Sequence, residues 1–296
     1  PLTPERPRFY NVELGGSMDK NGRDALVNTR LNKIESKRKV QNAQVTTLGV
    51  LGVLGFFAAW QILVSVGIIS TTYVATPIEV LRAVFAKIND LNPDGNTLLK
   101  NIAASFQVAF SGFFMAILVG APLGLLMGWY KPVEKFFRPL FEIIRPIPPI
   151  SWIPISILFF GIGVTSKAFI IFFSAFVPTL INSNTGILST NQAHINVGKT
   201  CGASKAKMFF TIGIPSAMPM VFAGFKLSLG NAWSTLVAAE MLASSEGLGY
   251  MIIMSRTFSR LDLLIGGMLV IGILGIFLSL AMDCIERLAV RWRYVK

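Results

Sequence analysis

Long apolar blocks separated by polar stretches make up most of this chain, and block length decides what they are. About 20 residues are needed to cross about 30 Å of hydrocarbon at 1.5 Å per residue. Blocks of roughly that length fall at 45–69, 102–128, 143–160, 168–188, 217–243 and 263–283. They predict an all-α polytopic membrane protein with six transmembrane helices, since helices satisfy their own backbone hydrogen bonds in lipid. Pro146, Pro148, Pro149 and Pro154 interrupt the third block, so its helix is expected to start only near Ser151. Between the first two blocks, Ala75 to Phe85 places Pro77 at a helix start with an apolar face behind it, which predicts a short helix outside the bilayer.

The polar segments complete the layout. Residues 1–44 carry little apolar periodicity and end near Lys37, Arg38 and Lys39, and we expect a partly helical cytoplasmic tail. Val45 to Ile69 is too long for the apolar region of a cleavable signal and is expected to be the first span. Alternate connections differ in charge. With a cytoplasmic amino terminus, the segments 1–44, 129–150, 189–215 and 284–296 hold twenty Lys and Arg residues, against six in 70–101, 161–167 and 244–262. Positive charge collects on the cytoplasmic side, so both termini are expected there, including a tail over 291–296.

Composition supports this class and removes others. The chain is 53% hydrophobic and 14% charged, with a mean hydropathy of +0.61. Its net charge of +12 is spread over loops that flank apolar blocks, and no basic stripe suited to nucleic acid occurs. Cys201 and Cys284 lie far apart and suggest neither a disulfide framework nor a metal pair, and His194 alone cannot build a histidine metal site. Gly198, Lys199 and Thr200 spell the end of a phosphate-binding loop, but Ala193 stands where its first glycine belongs and no strand precedes it. We find no nucleophile, base and orienting group in combination, so an enzyme is not expected and no cofactor is assigned to this chain.

Ionisable and large polar residues inside spans are costly and commonly face a cavity or a partner. Lys226, Trp233 and Glu240 lie seven apart in the fifth block, on nearly one helix face that drifts about 20° per heptad. That face is a candidate solute path, with Lys226 near the inner mouth, Trp233 as a constriction and Glu240 towards the outside. The alternative is packing, with Lys226 snorkelling and Glu240 capping the outer loop. Near the third block, Glu142 and Arg145 are three apart and can pair on one turn, and Trp152 follows the prolines, so these three are further path candidates. Asn182, Asn184, Ser228 and Asn231 suit hydrogen bonds between helices, and Gly120, Ala121, Gly124, Ala223, Gly224, Gly230, Ala238 and Ala239 suit close helix approach.

One basic, glycine-punctuated stretch, N-V-G-K-T-C-G-A-S-K-A-K-M-F-F-T-I-G-I-P over 196–215, falls on the cytoplasmic side. Lys199, Ser204, Lys205 and Lys207 supply a polar face, and Phe209, Phe210 and Ile212 an apolar one. From Gly202 to Pro219 it resembles the cytoplasmic signature of ABC importer permeases, a glycine followed after a fixed gap by an aliphatic-proline pair. The chain is most similar to the nitrate, sulfonate, taurine and bicarbonate permeases. Two further motifs carry the resemblance, R-P-I-P-P-I-S-W-I-P-I-S-I-L-F-F-G-I-G from Arg145 and G-N-A-W-S-T-L-V-A-A-E-M-L from Gly230, the latter followed by G-L-G-Y from Gly247. One departure is plain. Where that family opens its signature with Glu-Ala-Ala, this chain has Asn196, Val197 and Gly198.

The resemblance implies a type I importer permease domain over 45–290 in a bacterial inner membrane. It implies a second permease copy, as a homodimer or pseudo-dimer, two cytosolic ATPase subunits that bind ATP and Mg, and an extracytoplasmic solute-binding protein. Asn196, Gly198, Gly202, Ala203, Ser204, Lys205 and Pro215 would then form the ATPase-coupling loop. A secondary transporter or channel is the competing expectation. Internal repeats would favour it, and none is evident between the two halves.

Overall fold

Proline, glycine and capping side chains punctuate a succession of helices, and no strand occurs among the described residues. The computed structural model of the chain describes residues 47–49, 51–68, 70 and 74–291. The expected tail over 1–44 lies outside the described residues, as do residues 292–296 of the other tail. The chain divides after Ile62 into two units. Helix α1 (Thr47–Ser65) is long and apolar enough to cross a membrane. The second unit begins at Leu63.

Helix α2 (Pro77–Ala86) starts with Pro77 and is closed by a capping box, in which Thr76 accepts from the Glu79 N–H and the Glu79 carboxylate accepts from the Thr76 N–H. Its buried Val80 and Ala83 give it the expected apolar face, and Val84 meets Gly266 of α11 (Leu261–Ala289). Helices α3 (Leu98–Trp129), α6 (Val164–Leu188) and α9 (Ile214–Ala243) form the packed centre of this unit. With α1 and α11 they make five helices capable of crossing a membrane among the described residues, and six if one bent pair counts as a span.

That bent pair holds the expected third helix, which begins at Ile153, close to the start near Ser151 that the prolines suggested. The segment over 143–160 is not one helix. Helix α4 (Lys131–Ile144) ends at the prolines, a 3-10 turn covers Pro149–Trp152, and α5 (Ile153–Phe160) continues at 87° to α4. Three prolines within four residues remove the amide donors that would carry α4 onward, leaving only the Ile147 N–H on the Ile144 carbonyl and the Ser151 N–H on the Pro148 carbonyl. Most of the segment expected as a connection over 129–150 is therefore helix. A second helix, α10 (Leu248–Thr257), lies within the expected connection over 244–262.

Small residues let the central helices meet closely. Gly112, Ala116, Gly120, Gly124 and Gly128 recur every four residues along α3 and face α6. A Cβ on Gly112 would stand 2.6 Å from the Ala168 carbonyl oxygen, and one on Gly124 would stand 2.5 Å from that of Leu180. Hydroxyl pairs join α6 to α9: Thr179 and Ser228 at 2.6 Å, with the Ser228 hydroxyl also 2.8 Å from the Ala175 carbonyl, and Ser174 and Thr235 at 2.7 Å. Asn184 reaches the Gly124 carbonyl at 3.4 Å, whereas Asn182 bonds the Pro178 carbonyl of its own helix.

Candidate functional site

At one end of α6 and α9 the chain builds a two-helix knob from its own turn chemistry. Helix α7 (Gln192–Thr200) is capped by Asn191, whose side chain accepts from the Ala193 N–H. It closes in a Schellman motif, with the Ala203 N–H on the Gly198 carbonyl and the Gly202 N–H on the Lys199 carbonyl, both at 3.0 Å. Gly202 sits at φ 72°, the left-handed conformation that this motif requires, and open space surrounds it. Ser204 then caps α8 (Lys205–Met208) by accepting from the Lys207 N–H, and a π-helical turn over Phe209–Gly213 leads into α9, with Pro215 in its first turn.

Gly198 is where α7 rests on the following segment. It is buried, and a Cβ there would lie 3.0 Å from Ile212 Cδ1 and 3.1 Å from Met208 Sδ. The glycine that departs from the expected signature thus sits at a close contact within the knob. Asn196 is held on α7, its side chain accepting from Gln192 and its carbonyl accepting from the Thr200 hydroxyl. Phe209 packs against Trp129 and Tyr130. Phe210, by contrast, is 66% exposed, and Val197 on α7 is exposed as well. Lys199, Ser204, Lys205 and Lys207 are exposed around the turn, Ala203 is half-buried, and Cys201 presents a free thiol beside Gly202.

Two clefts open where α4 breaks. One, of about 200 Å³, lies between α4 and α6 and is lined by Glu134, Arg138, Glu142, Arg145, Asn184 and Thr185 among others. Another, of about 160 Å³, lies at the break itself, with Arg145, Trp152, Phe173, Ser174 and Asn231 in its walls. Arg145 lines both. Trp152 stacks on Phe173 with ring centres 4.6 Å apart, which fixes the aromatic wall. Arg145 thus shares one cleft with Glu142 and the other with Trp152, while Glu142 and Trp152 line no cleft in common.

Lys226, Trp233 and Glu240 line neither cleft. Trp233 is buried between helices, its indole N–H donating to the Ile271 carbonyl at 3.1 Å and its ring 5.5 Å from that of Phe106. Lys226 forms an ion pair with Asp283 of α11 at 2.6 Å. Glu240 is fully buried. Its carboxylate accepts from the Ser105 hydroxyl at 2.8 Å and the Gly249 N–H at 2.8 Å, while the Ser105 oxygen accepts from the Leu248 N–H. Trp233 and Glu240 are thus packed against α3, α10 and α11, whereas Lys226 and its partner Asp283 stay partly exposed.

The Glu240 cluster continues into a network that sequence reasoning missed. Asn101 accepts from the Gly247 N–H at 3.0 Å and donates to Asp94 at 2.6 Å, and Asp94 is paired with buried Lys87. Lys167 reaches the Ser244 hydroxyl at 2.8 Å. The segment between α9 and α10 is thereby tied to α3, α6 and the connection over 87–97 at the end of α9 opposite the knob. No single spacing could have revealed it, since its members come from five separate stretches of chain. No group of three or more His, Cys, Asp or Glu side chains suited to a metal occurs among the described residues.

Comparison with known proteins gives a consistent result. The model of the family described as "Binding-protein-dependent transport system inner membrane component" matches residues 98–293, from the first residue of α3 to beyond the end of α11. The taurine transport system permease protein TauC of Escherichia coli is 32% identical over 269 residues, covering 90% of this chain and 97% of the relative. The nitrate import permease protein NrtB of Synechocystis is 33% identical over 237 residues, covering 78% of this chain and 84% of the relative. Among solved structures, the MetNI methionine ABC transporter in an inward-facing conformation matches with a TM-score of 0.58 at 17% identity, covering 65% of this chain and 95% of that one. At that identity the likeness concerns the fold, that of a type I importer permease.

Proposed function

The chain belongs to the binding-protein-dependent transport system inner membrane component family, as an ABC importer permease of the nitrate, sulfonate, taurine and bicarbonate type, and from that premise we propose how it couples and what it carries. The α7–α8 knob is the contact for a separate ATP-hydrolysing subunit. Two such subunits act on two permease copies, arranged as a homodimer, and an extracytoplasmic binding protein delivers the solute. The solute is a small anion of the nitrate, bicarbonate, taurine or alkanesulfonate type, the class named in the relatives. Both termini face the cytoplasm, in keeping with the excess of Lys and Arg on the knob side.

The exposed, motif-closed knob carries this reading. A stable protrusion with Val197 and Phe210 uncovered and four polar or basic side chains around them has the makings of a docking surface. It is also joined to the helices it would have to move. Three residues separate α6 from α7, and α8 runs into α9 without a break. Because hydroxyl pairs and small residues bind α6 to α9 and α3, force on the knob would displace these helices as one body. The break after α4, with only Phe141 buried on that helix, is where relative motion costs least.

Cys201 supplies the test. In a Cys284→Ser background, maleimide labelling of Cys201 should be blocked when the ATPase subunit associates in the full complex. Labelling at an unchanged rate in a complex that copurifies with its ATPase would remove the knob from the interface.

A further inference from the structure

A path needs a group that recognises what passes along it, and the best placed is Arg145. It caps the C-terminal end of α4, one residue before the prolines, and reaches both clefts. Its guanidinium stands 4.0 Å from the Glu142 carboxylate, and both side chains are about half exposed. A charge-assisted hydrogen bond closes to about 2.7–2.9 Å. Glu134 and Arg138 on the same helix do close, at 2.7 Å. The pair at the break is thus loose while its neighbour is tight.

Across the smaller cleft, Asn231 offers a side-chain amide that makes no hydrogen bond to the described residues; only its backbone carbonyl is used, by the Ser174 hydroxyl at 3.1 Å. The stacked Trp152 and Phe173 supply an apolar wall. A volume of about 160 Å³ is below the roughly 300 Å³ at which sites for drug-sized molecules begin, so the space suits a small solute.

We propose that Arg145 and Asn231 form an anion subsite at the helix break, and that Glu142 is the internal counter-ion which the passing anion displaces from Arg145 and which reclaims Arg145 when the anion leaves. The inference rests on the permease reading above and assigns its recognition step. A planar guanidinium offers paired donors that match two oxygens of a nitrate, carboxylate or sulfonate, the Asn231 amide supplies a third donor, and Trp152 faces whatever apolar body the anion carries. The single guanidinium charge, once Glu142 is displaced from it, matches a monoanion. Glu142 keeps occupancy weak enough for release, as conduction requires.

The test uses the full chain in lipid nanodiscs, with iodide as the anionic quencher of tryptophan fluorescence and acrylamide as the neutral one. Subtracting a Trp152→Phe protein isolates the Trp152 signal from the five tryptophans. Iodide quenching of that signal should saturate and be competed by nitrate or methanesulfonate. Arg145→Gln should weaken it by about tenfold or more, the loss expected for a charged hydrogen-bonding partner, with acrylamide quenching unchanged as a control for folding. Glu142→Gln should tighten it, and in the assembled importer should lower KM and kcat together. Iodide quenching that is linear, or indifferent to Arg145→Gln, overturns the subsite, as does Glu142→Gln weakening it. If Cys201 is nevertheless protected by the ATPase, the permease reading stands without the subsite. Saturable, Arg145-dependent quenching without that protection leaves the subsite standing and removes the docking assignment.

Discussion

Gly202 is the residue at which backbone conformation and docking can be separated. It lies at φ 72° with nothing within 4 Å of the position a Cβ would occupy. Substitution there meets no steric wall, so its cost is the left-handed conformation alone. For an L-residue that cost is about 1–2 kcal/mol, less for Asn, which tolerates the region, and more for a β-branched residue. If the ATPase recognises only the closed knob, such a shift lowers the competent fraction and weakens association by at most about 5–30-fold for Gly202→Ala. Gly202→Asn should stay near the parent and Gly202→Val should fall below Ala. Gly202→Asp adds a charge at a conformationally tolerant residue, so a loss exceeding that of Asn reports the interface itself. Association of detergent-purified permease with its ATPase, measured by titration, reads the series, and uptake with parallel ATP turnover reads coupling. Equal affinities for Gly, Asn, Ala and Val would refute the claim that the Schellman turn shapes the contact.

Three further outcomes follow from packing. Glu240→Ala orphans the Ser105 hydroxyl and the Gly249 N–H, at about 1–3 kcal/mol for each buried donor, and Glu240→Gln should fall between it and the parent in thermal unfolding. Gly124→Ala should destabilise by about 1–3 kcal/mol, because its Cβ would meet the Leu180 backbone, whereas Gly230→Ala, with open space, should gain up to about 1 kcal/mol from helix propensity; equal melting temperatures would contradict this account. Lys226→Met should lower the folded yield by stranding the Asp283 charge, and the double variant Lys226→Met with Asp283→Leu should recover it; a double variant no better than the single one would show that the pair is not the reason.

Features set by local chemistry were readable in the sequence. Pro77 opening α2 and the prolines after Arg145 breaking a span each act within one or two turns, so composition alone announces them. Apolar length located α3, α6, α9 and α11 for the same reason, since thickness of hydrocarbon is a one-dimensional constraint. The third segment resisted because its length was read across a boundary where the axis turns by 87°, and a change of direction leaves no mark in a count of apolar residues.

The seven-residue spacing of Lys226, Trp233 and Glu240 illustrates a different limit. Such spacing establishes that side chains share a helix face but not what that face meets. Here it meets Ile271 and Asp283 of α11, and Ser105 of α3 with Gly249 of α10, all supplied by distant stretches of chain. A carboxylate in a span is expensive in either role, and what separates a path residue from a tie is whether its hydrogen bonds are already made. Glu240 has its donors at 2.8 Å, whereas Arg145 faces Glu142 at 4.0 Å and Asn231 keeps a spare amide. By that criterion the proposed subsite falls at the break between α4 and α5, and the far end of α9 is a structural tie whose hydrogen bonds are already made.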